Sequence, residues 1–546
     1  MKLASHLSEF AILSSFITST VTARTLGARD DASNANKTAI NWGPCDGINS
    51  SAPIQCASIP LPIDYSNSSC GKTFEQPLLR VPASNGKSKG SILLNFGGPG
   101  AEAMESLAKI APTLQIMSGG YNDLIAFDPR GTGKSLNFTC FVSAADKATV
   151  LMRTPPIGGN SSDVADGFLW ALTGMWAENC YDSGKDTGRF LGTAYVVRDM
   201  MNIVDALQED GLLRFWGFSY GTTLGATAAA MFPDKIDRMV LDGVLNPHEY
   251  FNGFEEEQFA ATDATWTAMF KACVAAGPEK CALARRNATA SELEEATYTL
   301  IETLKRDPIY YKTSIVDYNF IKNVIVEFLY TPSGWPLLVA ALDTLLPGSG
   351  GLDPKIMDAV IGAMASAAPS SEALLDGNFG IKCGDKHNRF AALAGARPVL
   401  ADLRTRSRLL GDVLDMVTLQ CARWRMDAAE RYEGDFVAKT REPVLIVGNS
   451  FDPLTPLVSA KNVSAGLEGS VVLEHKGFGH ASLAMFSSCT AATTAAYFVN
   501  GTMPKVGATC EVDTPLFDPP PTGATRRSEI DAQSIFARNV RPLRQF

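Results

Sequence analysis

The chain has 546 residues, of which 46% are apolar and 19% charged, so a large buried core is available and general disorder is excluded. Its formal net charge of −10 at pH 7 argues against a nucleic-acid partner, whose phosphates would meet a surface of the same sign.

In chain order, residues 1–23 read as a signal peptide: Lys2 supplies a thin positive start, Phe10 to Val21 is apolar or small, and Val21-Thr22-Ala23 suits cleavage after Ala23. The run is too short and too rich in Ser and Thr to span a bilayer, and no other stretch is long enough, so no membrane span is expected. Residues 24–40 are polar and form a flexible leader. Sequons begin at Asn36, Asn49, Asn67, Asn137, Asn160, Asn287, Asn462 and Asn500, which suits a glycosylated, extracellular surface. The 11 cysteines contain no C-x-x-C pair, so disulfides are expected rather than a metal site. The expected pairs are Cys45–Cys56, Cys140–Cys180, Cys273–Cys281, Cys383–Cys421 and Cys489–Cys510, leaving Cys70.

From residue 73 on, short β-rich runs alternate with helix-period runs. SILLNF at 91–96, DLIAFD at 123–128, RFWGFS at 214–219, RMVLDG at 238–243, PVLIVGN at 443–449 and SVVLEH at 470–475 are nearly apolar throughout. Such runs suit strands covered on both faces of a mostly parallel sheet. Val197, Met200, Met201, Val204 and Leu207 recur at helical spacing, as in a crossover helix. The class is therefore α/β. The alternation breaks between 246 and 440, a span far too long for an ordinary connection and mostly helical in character. It reads as a helical lid inserted over the carboxyl ends of the strands, between core segments 41–245 and 441–512. Residues 513–546, Pro-rich and then basic, form a C-terminal tail.

Gly217-Phe218-Ser219-Tyr220-Gly221 matches G-x-S-x-G directly after an apolar strand and before a helical run. A serine there sits on a sharp strand-to-helix turn, with helical N–H groups near a developing oxyanion. The bland alternative is a tight structural turn. A serine needs a base, and among only 5 histidines His480, in a glycine-flanked loop after a strand, is the best placed. His475 ends the strand and reads as structural. Asp452, just past the strand PVLIVG, is the expected acid, although an Asp there also suits a helix cap; Asp242 is its rival. The oxyanion hole is expected from the amides of Gly98 and Tyr220, because Pro99 has no N–H. Gly133-Lys134-Ser135 resembles the end of a phosphate loop, but Asp128 stands where its first glycine belongs, so that reading fails. No metal site and no cofactor are expected.

Gly97-Gly98-Pro99-Gly100, the run Asp128 to Ser135, GFSYG, GNSFDPLTP and GFGHAS occur in that order. Together they resemble the secreted tripeptidyl-aminopeptidase and prolyl-aminopeptidase-like branch of the α/β hydrolases. The resemblance covers the core, from about residue 73 to 512, and not the lid. It implies an α/β-hydrolase fold, a triad of Ser219, Asp452 and His480, and lid carboxylates that hold the free amino terminus of a peptide. Glu255, Glu256 and Glu257 are the candidates for that last role, against the plainer reading of a solvated helix face. Where that family often has His before its first glycine pair, this chain has Asn95-Phe96. The substrate is then a peptide, or a small-molecule ester or amide. A lidded esterase or small-metabolite hydrolase, a cofactor-free haloperoxidase-like enzyme and a non-catalytic binding module are the alternatives.

Overall fold

A computed structural model describes residues 40–67, 71–153, 158–367, 373–413 and 415–518. The expected signal peptide, nearly all of the leader, Asn36, Cys70 and the tail beyond 518 lie outside the described residues.

The strands are β1 (Gln55–Pro62), β2 (Thr73–Val81), β3 (Ser91–Asn95), β4 (Asp123–Phe127), β5 (Leu213–Phe218), β6 (Ile236–Asp242), β7 (Ile309–Tyr311), β8 (Ser314–Val316), β9 (Leu445–Phe451), β10 (Val471–Phe478) and β11 (Thr509–Glu511). Nine of them form one sheet in the order β1-β2-β4-β3-β5-β6-β9-β10-β11, while β7 and β8 pair as a separate hairpin. β1 with β2 and β2 with β4 run antiparallel; every other pairing in the large sheet is parallel. The six anticipated runs all became strands of this sheet. β1, β2 and β11 were not anticipated: β11 is an edge strand of 3 residues, and β1 and β2, though longer, mix exposed, half-buried and buried positions and so carry no continuous apolar run.

β3 and β5 are buried at every residue, as central parallel strands must be when helices cover both faces. The helix Thr193–Leu207 buries Val196, Val197, Met200, Ile203 and Val204, whereas Met201 and Leu207 are only half-buried. Its apolar face is rotated from the anticipated one because Asp199 also turns inward, to Arg130. That arginine is fully buried, meets Asp199 through Nε at 2.6 Å and Nη2 at 2.7 Å, and donates to the carbonyls of Pro62 and Ile63 at 2.6 Å each. The Asp128–Ser135 loop is thus a structural pin, with the Arg130 charge satisfied by Asp199 and backbone carbonyls.

Between β6 and β9 the regular elements among the described residues are helices apart from the β7–β8 hairpin, and residues 421–444 run as irregular chain into β9. Trp266, Trp335 and Leu338 from this segment join Trp216 and Leu94 of the sheet in one continuous core. The five anticipated cysteine pairs are all bonded. All the described sequon asparagines are exposed. Leu516 and Phe517, at the start of the tail, pack against the core. No helix among the described residues is long and apolar enough to cross a membrane.

Candidate active site

Ser219 occupies the turn between β5 and the helix Tyr220–Met231, with φ 56° and ψ −125°. A non-glycine residue in that conformation is strained, and such strain is retained where the surrounding fold fixes it. The flanking glycines are steric necessities. A Cβ on Gly217 would stand 2.2 Å from the carbonyl oxygen of Gly221, and one on Gly221 would stand 2.6 Å from that of Asn95. Gly97 has φ +93°, and a Cβ there would come within 2.7 Å of both Phe218 O and Ser219 Cβ. The glycine loop after β3 therefore lies directly on the serine turn, as a loop supplying an oxyanion donor would have to.

Asp452 follows β9 and is fully buried. Its Oδ1 accepts from the amides of Leu454 (3.0 Å) and Thr455 (2.9 Å), and its Oδ2 from Thr455 Oγ1 (2.6 Å) and the Ala481 amide (2.8 Å). His480 Nδ1 lies 3.1 Å from Oδ1 and 3.2 Å from Oδ2. Burial alone would raise the Asp452 carboxyl; the imidazole charge and these hydrogen bonds outweigh it and hold the group below the usual carboxylate range. The capping role and the histidine-facing role coexist in one side chain.

The loop carrying His480 is fixed from several sides. Asn449 Nδ2 donates to the carbonyls of Gly479 (3.0 Å) and Ala481 (2.8 Å), and the His480 amide donates to Tyr330 O at 2.9 Å. The Tyr330 ring meets the imidazole edge-on, with centroids 5.1 Å apart. Asp242, the rival acid, does not take the histidine: its carboxylate accepts from the Ser482 amide at 2.9 Å and from Ser482 Oγ at 2.5 Å. Burial pushes its carboxyl up to about 7, against the pull of the Ser482 bonds. His475 is buried and meets Thr490 Oγ1 at 2.9 Å, a structural contact.

Ser219 and His480 line one cavity, together with Gly98, Pro99, Leu454 and Thr455 from the sheet end. Its other walls come from the segment between β6 and β9: Leu245, Tyr250, Glu255, Gln258, Tyr330 and Lys382. Of the three glutamates singled out by resemblance, only Glu255 lines this cavity. Glu256 does not line it, and Glu257 turns to Asn462 and to Asn246. Glu255 is not an open carboxylate either. Lys382 Nζ lies 3.0 Å from its Oε1 and 2.8 Å from its Oε2, and Lys386 Nζ 3.3 Å from Oε2. Burial would raise the Glu255 carboxyl, but the two ammonium charges hold it below its ordinary range. Tyr250, Gln258, Tyr330 and Lys382 were missed because nothing in their local sequence marks them. Two lysines four residues apart in GIKCGDKH, across the end of a helix that is otherwise buried, were the one available signal.

Known proteins share the fold of this chain. A model described as alpha/beta hydrolase fold matches residues 90–319, and one described as TAP-like protein matches 407–510. The chain is 26% identical over 498 residues to the Serine protease Hip1 of Mycobacterium tuberculosis (strain ATCC 25618 / H37Rv), covering 86% of this chain and 91% of that protein. It is 29% identical over 231 residues to the Tripeptidyl aminopeptidase of Streptomyces lividans, covering 40% and 41%. It is 27% identical over 490 residues to the Carboxylesterase B of the same Mycobacterium tuberculosis strain, covering 86% and 89%.

Proposed function

We propose that this chain, which belongs to the α/β hydrolases and is a serine hydrolase, is an aminopeptidase that releases short peptides or single residues from free peptide amino termini. The observation that carries the reading is one cavity wall holding both Ser219 and His480, with His480 tied through Nδ1 to the buried Asp452. Relatives named as a serine protease and a tripeptidyl aminopeptidase support the peptidase class.

In this mechanism Ser219 Oγ attacks the carbonyl carbon while His480, through Nε2, takes its proton. Asp452 keeps the Nδ1 proton oriented and stabilises the imidazolium without accepting that proton. The amides of Gly98 and Tyr220 hold the oxyanion. The tetrahedral species collapses to an acyl-enzyme as His480 protonates the leaving amine. Water, deprotonated by the same imidazole, then frees the product. Residues 246–440 act as the lid over the strand ends and close the substrate side of the cavity. The five disulfides and the exposed sequon asparagines fit an enzyme exported after cleavage of residues 1–23 and glycosylated at its surface.

The test is turnover of peptidyl and aminoacyl amides, with free and blocked amino termini, beside simple acyl esters. Preference for free-amino amides, lost in Ser219→Ala, is the expected result. Hydrolysis of esters alone would replace this reading with an esterase, which the relative named Carboxylesterase B favours. Full activity in Ser219→Ala would overturn both.

A further inference from the structure

We propose that the cavity beside Ser219 contains an anion subsite built on Lys382, and that the enzyme prefers substrates whose acyl portion carries a carboxylate, such as an amino-terminal glutamyl group. The inference rests on Ser219 being the nucleophile of this cavity.

Charge balance is the first ground. Lys382 is 4% exposed at its side chain and meets two acceptors among the described residues, the two oxygens of Glu255. An ammonium has three hydrogens to donate, so one remains for the cavity that Lys382 lines. Glu255 already accepts from Lys382 on both oxygens and from Lys386 on one. Lys386 is occupied elsewhere, donating to the carbonyl of Gly253 at 3.1 Å. A substrate cation approaching Glu255 would meet Lys382 at close range in a poorly solvated space, and like charges repel most strongly there. A substrate anion meets the opposite situation.

The second ground is a polar neighbour. Gln258 lines the same cavity, and its carboxamide carries two N–H donors of the kind that a carboxylate accepts from. The third is backbone conformation. Glu255 sits at φ 60° and ψ 36°, a left-handed conformation that a glutamate adopts only where its surroundings impose it. The two lysines, one on the helix Ala373–Asp385 and one just past its end, fix that residue at the cavity wall. The remaining carboxylates nearby are directed elsewhere: Asp385 accepts from Thr193 and Tyr250, and Glu249 from the Glu257 amide.

The experiment compares kcat/KM for matched pairs that differ only in the anion: glutamyl against glutaminyl 4-nitroanilide, and hemiglutaryl against butyryl nitrophenyl ester. The expected result is a preference of about tenfold or more for the anionic member, the size of a lost hydrogen bond to a charged group. In Lys382→Met the ratio collapses toward unity. Should that variant fail to fold, Lys382→Met with Glu255→Gln removes both charges of the pair, and a retained preference in the folded double variant overturns the proposal. Equal or reversed ratios in the wild type overturn it as well. Labelling of Ser219 by a fluorophosphonate is read in parallel. Labelling with no anion preference removes the subsite and leaves the serine mechanism standing, whereas absence of labelling removes the serine mechanism itself.

Discussion

Asp452 holds His480 at two points, with Oδ1 3.1 Å from the ring Nδ1 and Oδ2 accepting the amide hydrogen of the next residue, Ala481, at 2.8 Å. The carboxylate therefore fixes both the tautomer of the ring and the loop that carries it. Asp452→Asn keeps the shape of the side chain but offers an N–H where Nδ1 needs an acceptor. It is expected to lower kcat by about 10⁴-fold and to lower Tm as well, because either placement of the amide sets an N–H against a buried backbone amide that Asp452 now accepts. Steady-state kinetics beside circular dichroism check this, and a loss below tenfold would contradict the assigned role.

Asp242 makes stability depend on pH in a predictable direction. Burial pushes its folded-state carboxyl up to about 7 from an ordinary 3.8. A raised folded value means that its contribution to stability is complete below about pH 3.8 and is lost as pH rises through about 7. Asp242→Asn cannot ionise, so it escapes that loss. The difference in Tm, variant minus wild type, should increase from pH 4 to pH 8. A difference that stays flat across that range would show that Asp242 is not the titrating group.

Gly221 faces backbone rather than a movable side chain, since its added Cβ would stand 2.6 Å from Asn95 O. Gly221→Ala should therefore cost about 1–3 kcal/mol in stability. It should also displace the serine turn, lowering fluorophosphonate labelling along with Tm. Normal labelling at an unchanged Tm would mean that the strand-to-loop contact yields easily.

The Cys383–Cys421 bond ties the helix that bears Lys382 to a segment 38 residues away. Replacing both cysteines with serine should cost about 2–5 kcal/mol. Denaturant midpoints under non-reducing conditions measure it, and an unchanged midpoint would show that the surrounding packing alone fixes this helix.

The sequence by itself determined the parallel sheet, the serine turn and the loops of the candidate acid and base. Each of these is a local matter: an apolar run buried on both faces, glycines that backbone contact demands, and a polar residue just beyond a strand end. The pairing of Asp452 rather than Asp242 with His480 was decided in three dimensions, by which strand end the 479–482 loop folds against and with which atoms. So were the cavity walls. Tyr330 reaches His480, and Lys382 reaches Glu255, across more than a hundred residues of chain, and no periodicity records a contact of that kind. The carboxylates at 255, 256 and 257 looked equivalent in sequence. Only packing separated them, burying Glu255 between two lysines at the cavity and turning Glu257 toward Asn462. Charge in a sequence is a list of signs, and its effect at a site follows from which opposite charges the fold brings within a few ångströms and how much water it removes.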